Sequence, residues 1–358
     1  MSHGMAALAD SPLLRACRRE PLPSPPIWLM RQAGRYMKEY RALREKVPFL
    51  TLCHDADLVT EVTVHAANRL GVDAAIIFSD LLLPLEPLGF RLAYDRGEGP
   101  SVEPAIRSAA DLGRLRSPDI RAELGYVFES IRRTRAALPA GMPLLGFAGA
   151  PFTLASYLIE GGGSAHYRHT KEFLYSDPGA WNALLGRLVD LTASFLREQI
   201  DAGAQAVQIF DSWVGCLSPD DYRRFVLPHV KRLVAQVRPH APVILFGTQT
   251  TALLEAIAEA EAPVVGVDWR VDLLEAWDRL GPGTAIMGNL DPCVLFAPRD
   301  EVVRRARALL KRAALRPGWI FNLGHGILPH TPVDNVLALV ETVHAWDAAR
   351  AAEGEPER

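Results

Sequence analysis

Eight short, predominantly apolar runs without alternation, separated by stretches with helical spacing, constrain this chain more than any other feature. They are Ile27 to Met30, Ala74 to Phe78, Pro143 to Phe147, Ala206 to Phe210, Val243 to Phe246, Val264 to Val267, Thr284 to Met287 and Trp319 to Asn322. A strand with one solvated face alternates apolar and polar residues, so a run without alternation reads as a parallel strand covered on both faces. Asp55 to Leu70, Pro178 to Ala202, Pro219 to Val237, Thr251 to Ala260 and Arg299 to Ala314 carry apolar residues at helical spacing, several opened by Asp, Ser or Pro. Such strand–helix repeats predict a single TIM-like (β/α)8 barrel, although periodicity by itself also admits a doubly wound open sheet. The 358 residues suffice for one large barrel domain, with an ordered core at about 12–348 and frayed ends from Met1 to Asp10 and Ala349 to Arg358.

The residues just past each run favour the barrel. They read Arg31-Gln32-Ala33-Gly34-Arg35, Ser79-Asp80, Gly149-Ala150-Pro151-Phe152-Thr153, Asp211-Ser212, Gly247-Thr248, Asp268-Trp269, Gly288-Asn289-Leu290-Asp291-Pro292 and Gly324-His325-Gly326. Glycine lets backbone approach a ligand, and Asp, Ser, His and Arg supply polar heads, so all the strand ends look prepared for one shared mouth.

Arg31 and Arg35 stand four apart around Gly34 and would project the same way if the turn after the first run is helical. Two guanidinium forks in one place suit a polycarboxylate; the bland alternative is a pair of surface arginines bracketing a turn. Arginine abundance is no argument, since only 5 of the 39 basic residues are lysines. The balance of 39 basic against 42 acidic residues speaks against a nucleic-acid surface or an anionic-membrane patch, so anion recognition has to be local. Cys17, Cys53, Cys216 and Cys293 are scattered without a C-x-x-C pair and read as packing residues in a reducing compartment. With no signal pattern before Pro26 and no membrane-length apolar run, a cytoplasmic protein is expected.

Two longer stretches carry a family resemblance. Pro26-Ile27-Trp28-Leu29-Met30-Arg31-Gln32-Ala33-Gly34-Arg35 and Gly146-Phe147-Ala148-Gly149-Ala150-Pro151-Phe152-Thr153-Leu154, running on to Tyr157 and Glu160 through Ser164, resemble the signatures of the uroporphyrinogen decarboxylases. Similarity continues through Phe78-Ser79-Asp80, Gly288 to Pro292 and Asn322 to Gly326, from about Pro26 to His344; Phe246 to Thr250 is less recognisable. The resemblance implies a homodimer of distorted (β/α)8 barrels, with no metal and no organic cofactor, acting on uroporphyrinogen III. The positions it implies for the substrate site are Arg31, Gln32, Ala33, Gly34, Arg35, Asp80, Tyr157, Ser212 and His325.

That chemistry converts four acetate arms to methyls, giving coproporphyrinogen III. Loss of carbon dioxide from a pyrrole acetate leaves an electron pair that the pyrrole must accept, which it can do once protonated at a ring carbon. The protein therefore has to stabilise a cation beside a departing carboxylate. Asp80, behind the second run, is expected to receive the pyrrole N–H groups and face that charge; read by itself it is equally a helix cap. Arg31 and Arg35 are expected to hold acetate or propionate groups, and the ring proton can come from one of them, from a bound water or from a substrate carboxyl. Tyr157, Ser212 and His325 are expected to donate to further carboxylates, with Gly324 and Gly326 exposing backbone at the mouth. Phe147, Phe152 and Leu154 read either as apolar walls or as barrel filling, and Gly161 to Gly163 as a mobile loop or a helix end.

Two rival functions differ in chemistry. A zinc-dependent corrinoid or thiol methyltransferase of the same barrel family needs clustered Cys and His ligands, and this chain lacks H-x-C, Cys53-His54 being adjacent. A non-enzymatic tetrapyrrole carrier could use the arginines but has no evident use for Asp80.

Overall fold

Successive residues of the central strands bury into two different cores. Leu144, Leu245, Ile286 and Phe321 belong to a large cluster shared with the helices, while their neighbours Leu145, Ile244, Met287 and Ile320 join a smaller one with Trp28 and Met30. Side chains alternate across a strand, so a sheet with apolar material on both sides favours apolar residues at nearly every position, which explains the runs, with Gln208 of Ala206 to Phe210 and Asn322 of Trp319 to Asn322 as buried polar exceptions.

The computed structural model describes residues 7–95, 99–314 and 316–347. Its strands are β1 (Ala75–Ile76), β2 (Arg91–Asp95), β3 (Gly99–Glu103), β4 (Leu144–Gly149), β5 (Ala206–Asp211), β6 (Val243–Gly247), β7 (Val264–Gly266), β8 (Ala285–Leu290) and β9 (Trp319–Leu323). Seven of them form one curled parallel sheet in the order β1-β4-β5-β6-β7-β8-β9, with helices between successive strands. The other two make an antiparallel hairpin, β2–β3, with Arg91 opposite Glu103.

The first expected strand, Ile27 to Met30, forms only one bridge, Ile27 to Phe321 of β9. It nevertheless occupies the gap between the sheet edges: Phe321 N–H donates to Pro26 O (2.9 Å), and Asp73 N–H, just before β1, donates to Ile27 O (2.8 Å). Side chains replace the missing ladder. Asp73 Oδ2 accepts from Ile27 N–H at 2.7 Å, Gln32 Oε1 from Leu29 N–H at 3.1 Å and Asn322 Oδ1 from Met30 N–H at 3.2 Å. Pro25 and Pro26 cannot donate, so the ladder is not extended backwards.

Helix ends follow local chemistry. Asp55 accepts from Asp57 and Leu58 N–H (2.9 and 3.0 Å) and starts the helix Ala56–Leu70. The expected single helix from Pro219 to Val237 is broken at Val226 into Pro219–Phe225 and Leu227–Val237, where Pro228 cannot donate to the preceding turn. Thr251 to Ala260 contracts to Leu254–Ala258 behind a 3-10 turn. Of the ends expected to fray, residues 7–9 are helical, whereas 1–6 and 348–358 lie outside the described residues. Cys17 and Cys53 are packing residues as expected; Cys216 is half-buried and Cys293 exposed. Among the described residues no helix is long and apolar enough to cross a membrane.

Candidate active site

The two carboxylate oxygens of Asp80 have different surroundings. Oδ1 accepts the Leu82 N–H at 2.8 Å and the Tyr94 phenol, while Oδ2 has no hydrogen-bond partner among the described residues. The first bond is a local Asx-type turn, so the capping role occupies one oxygen and leaves the other free. Burial raises the pKa of Asp80; Tyr94, Leu82 N–H and Arg31 oppose the rise, and Glu86 adds to it.

Arg31 and Arg35 do not share a helical face. Residues 31–37 form bends and turns, the helix begins only at Lys38, and Arg31 takes the left-handed φ of 61°. Both residues reach solvent, but the guanidinium of Arg31 is largely desolvated by its neighbours, and neither guanidinium has a hydrogen bond or ion pair among the described residues. They remain electrostatic neighbours: burial, followed by the charge of Arg35, lowers the pKa of Arg31, against the pull of Tyr157 and Asp80.

Gly324 and Gly326 are both buried. They admit neighbouring chain rather than expose backbone to a ligand, which corrects the expectation for this loop. A β-carbon on Gly324 would lie 2.4 Å from the Trp269 backbone nitrogen, and one on Gly326 would lie 2.5 Å from Arg31 Cδ. His325 between them is half-buried beside Arg31 and Arg270; desolvation and then Arg31 lower its pKa, which favours the neutral imidazole.

Tyr157 projects from the helix Pro151–Glu160 and stacks on Trp213, ring centroids 3.9 Å apart. Burial and then Asp80 raise its pKa, keeping the phenol a donor. Ser212, at the end of β5, joins this group through its neighbour Trp213, and its carbonyl accepts Thr248 Oγ1 at 2.5 Å. The helix has no side-chain cap of its own; instead Thr153 Oγ1 donates to the buried Asp211 at 2.8 Å. Burial pushes the Asp211 carboxyl up to about 7.

The remaining loop positions frame the arginines. Gln32 is fully buried, its side chain accepting from Leu29 N–H and donating to Ala74 O at 3.2 Å, so it braces the loop against the strand leading into β1. Ala33 packs on the core, and Gly34 brings backbone so near Arg31 O that a β-carbon would stand 3.1 Å away. Phe152 and Leu154 are core residues, Phe152 lying against Trp181 (6.0 Å), whereas Phe147 is half-buried and edge-on to the half-buried Phe210 (5.6 Å). Gly161, with φ 82°, is a helix terminus whose carbonyl accepts Val102 N–H at 2.9 Å.

Tyr94, Trp213 and Phe210 were not legible as site residues. The run Leu92-Ala93-Tyr94 ahead of the turn-forming Gly97 and Gly99 is a hairpin signal that could have exposed Tyr94.

The profile of the uroporphyrinogen decarboxylase (URO-D) family matches residues 8–346. The chain belongs to the uroporphyrinogen decarboxylase family. Uroporphyrinogen decarboxylase of Sorangium cellulosum is 53% identical over 96% of this chain and 99% of its own length. That of Koribacter versatilis is 51% identical over 96% and 98%. Among solved structures, a methyltransferase from Methanosarcina mazei superimposes with a TM-score of 0.80 at 19% identity, over 93% of this chain and 98% of that one, a likeness of fold alone. Among the described residues of this family member, no three His, Cys, Asp or Glu side chains are grouped as metal ligands.

Proposed function

We propose that the chain is a uroporphyrinogen decarboxylase that converts the four acetate arms of uroporphyrinogen III to methyls, in the cytoplasm and as a homodimer. Family membership supports the reaction, and the arrangement around Asp80 supports how it is done: one carboxylate oxygen lies free within electrostatic reach of Arg31, which in turn neighbours Arg35, and neither guanidinium has an ion-pair partner among the described residues.

In this reading Arg31 and Arg35, with Tyr157, Ser212 and His325, hold the acidic periphery. The backbone of Gln32, Ala33 and Gly34 shapes the same loop. Asp80 Oδ2 accepts the pyrrole N–H groups. A proton from Arg31, whose surroundings lower its pKa, reaches a ring carbon and gives an iminium-like cation facing Asp80. The acetate C–C bond then breaks, its electron pair enters the ring and carbon dioxide leaves. Protonation of the exocyclic methylene and loss of the ring proton restore the pyrrole, one net proton being taken up for each carbon dioxide. The pyrrole is its own electron sink, so the scheme calls for no cofactor.

Anaerobic incubation with uroporphyrinogen III tests the reading: the tetracarboxylate coproporphyrinogen is expected, and the octacarboxylate recovered unchanged refutes it in favour of a carrier. Light scattering of the purified chain tests the dimer.

A further inference from the structure

The hairpin β2–β3 reaches Asp80 from outside the barrel sheet. Tyr94, on β2, donates its phenol to Asp80 Oδ1. Its ring rests on Phe49 (centroids 4.7 Å apart), which lies edge-on to Phe78 (6.1 Å), two residues before Asp80. The partner strand is anchored in turn, because Val102 N–H of β3 donates to Gly161 O at 2.9 Å. The phenol is thus held by packing independent of the carboxylate. It converges with Leu82 N–H on one oxygen, so rotation of the carboxylate breaks both bonds.

We propose that Tyr94 is a positioning residue for the decarboxylation, fixing the plane of the Asp80 carboxylate and keeping it ionised with Oδ2 free for the pyrrole N–H groups. This rests on the role given to Asp80 above. The balance of forces explains the need for such a donor. Burial favours the neutral acid, and Glu86, 30% exposed and hydrogen-bonded to the exposed His54 at 3.2 Å, adds negative potential. Cys53, Tyr126 and Tyr157 also face the carboxylate, each with a pKa raised by burial, and the cation acting on it is Arg31. A phenol hydrogen bond to the charged form opposes neutralisation directly.

The test uses the full-length enzyme with Tyr94→Phe, which keeps the ring, and a second variant carrying a ring-fluorinated tyrosine in place of Tyr94, a stronger donor. Tyr94→Phe should move the acidic limb of kcat upward by about one pH unit, with KM unchanged. The fluorinated variant should keep full activity and move the limb downward, as should Glu86→Gln by removing a like charge. An unmoved limb in folded Tyr94→Phe overturns the proposal; if that variant does not fold, an unmoved limb in the fluorinated one does so. Infrared titration of the Asp80 carboxyl stretch, with Asp80→Asn as blank, reads the same shift without turnover. A failed decarboxylation assay and a failed Tyr94 effect are thereby told apart.

Discussion

Gly326 packs against the stem of Arg31 so closely that a β-carbon at 326 would stand 2.5 Å from its Cδ and 2.6 Å from its Cγ. The arginine cannot keep its path past any larger residue. Gly326→Ala should leave the barrel folded but displace the guanidinium, lowering kcat/KM by about a hundredfold, since misplacement by roughly 1 Å costs that much. Steady-state kinetics alongside thermal unfolding checks this; wild-type kinetics would show that the contact does not aim Arg31.

Asp80→Asn preserves shape and removes charge. At roughly 4 Å and an effective dielectric near ~20, the attraction to a ring cation is about 4 kcal/mol, so kcat should fall by on the order of three decades. Equilibrium binding of substrate should be almost unaffected. Full turnover in the variant would remove Asp80 from the mechanism.

Arg31→Ala and Arg35→Ala each delete a guanidinium without an ion-pair partner among the described residues, so the fold should hold while substrate binding weakens, and Arg31→Ala should lower kcat as well because Arg31 is the proposed proton donor and acts on Asp80. Each should weaken binding by about 1.5–3 kcal/mol, the range of a charge-assisted hydrogen bond. Capture by the wild type should also weaken as salt rises, because Arg35 is exposed and the substrate approaches through solvent. Binding measured from low to high ionic strength decides; indifference to salt contradicts electrostatic docking.

Asp211 gives a pH dependence of stability. Its carboxyl is raised from 3.8 to about 7 in the folded protein, so between those values the folded state holds more protons than the unfolded one. Stability at this group therefore falls as pH rises through that window and stays low above it. Asp211→Asn, which still accepts from Thr153, should match wild type near the lower end. It should be more stable above the window by up to about 4 kcal/mol. Urea unfolding at the two ends of the window measures the difference, and a parallel pair of curves would contradict it.

The barrel strands were readable with small errors at their ends because their residues feed two cores. The first run misled, since Trp28 and Met30 are buried like strand residues while the N–H groups of Leu29 and Met30 bond the side chains of Gln32 and Asn322. Apolarity reports burial, and only hydrogen-bond partners report a ladder. At the site, Asp80, Arg31 and Tyr157 come into electrostatic reach of one another and His325 into that of Arg31, whereas the side chain of Gln32 is used within the loop.

The sequence by itself determined the repeat of strand and helix, the polar heads at the strand ends and the family, because each is written in residues adjacent along the chain. The tertiary structure alone decided that Tyr94 meets Asp80, that Trp213 meets Tyr157 and that Gly326 makes room for Arg31. These contacts join segments whose meeting depends on how the sheet curls and the loops pack over its mouth, and no local spacing encodes that.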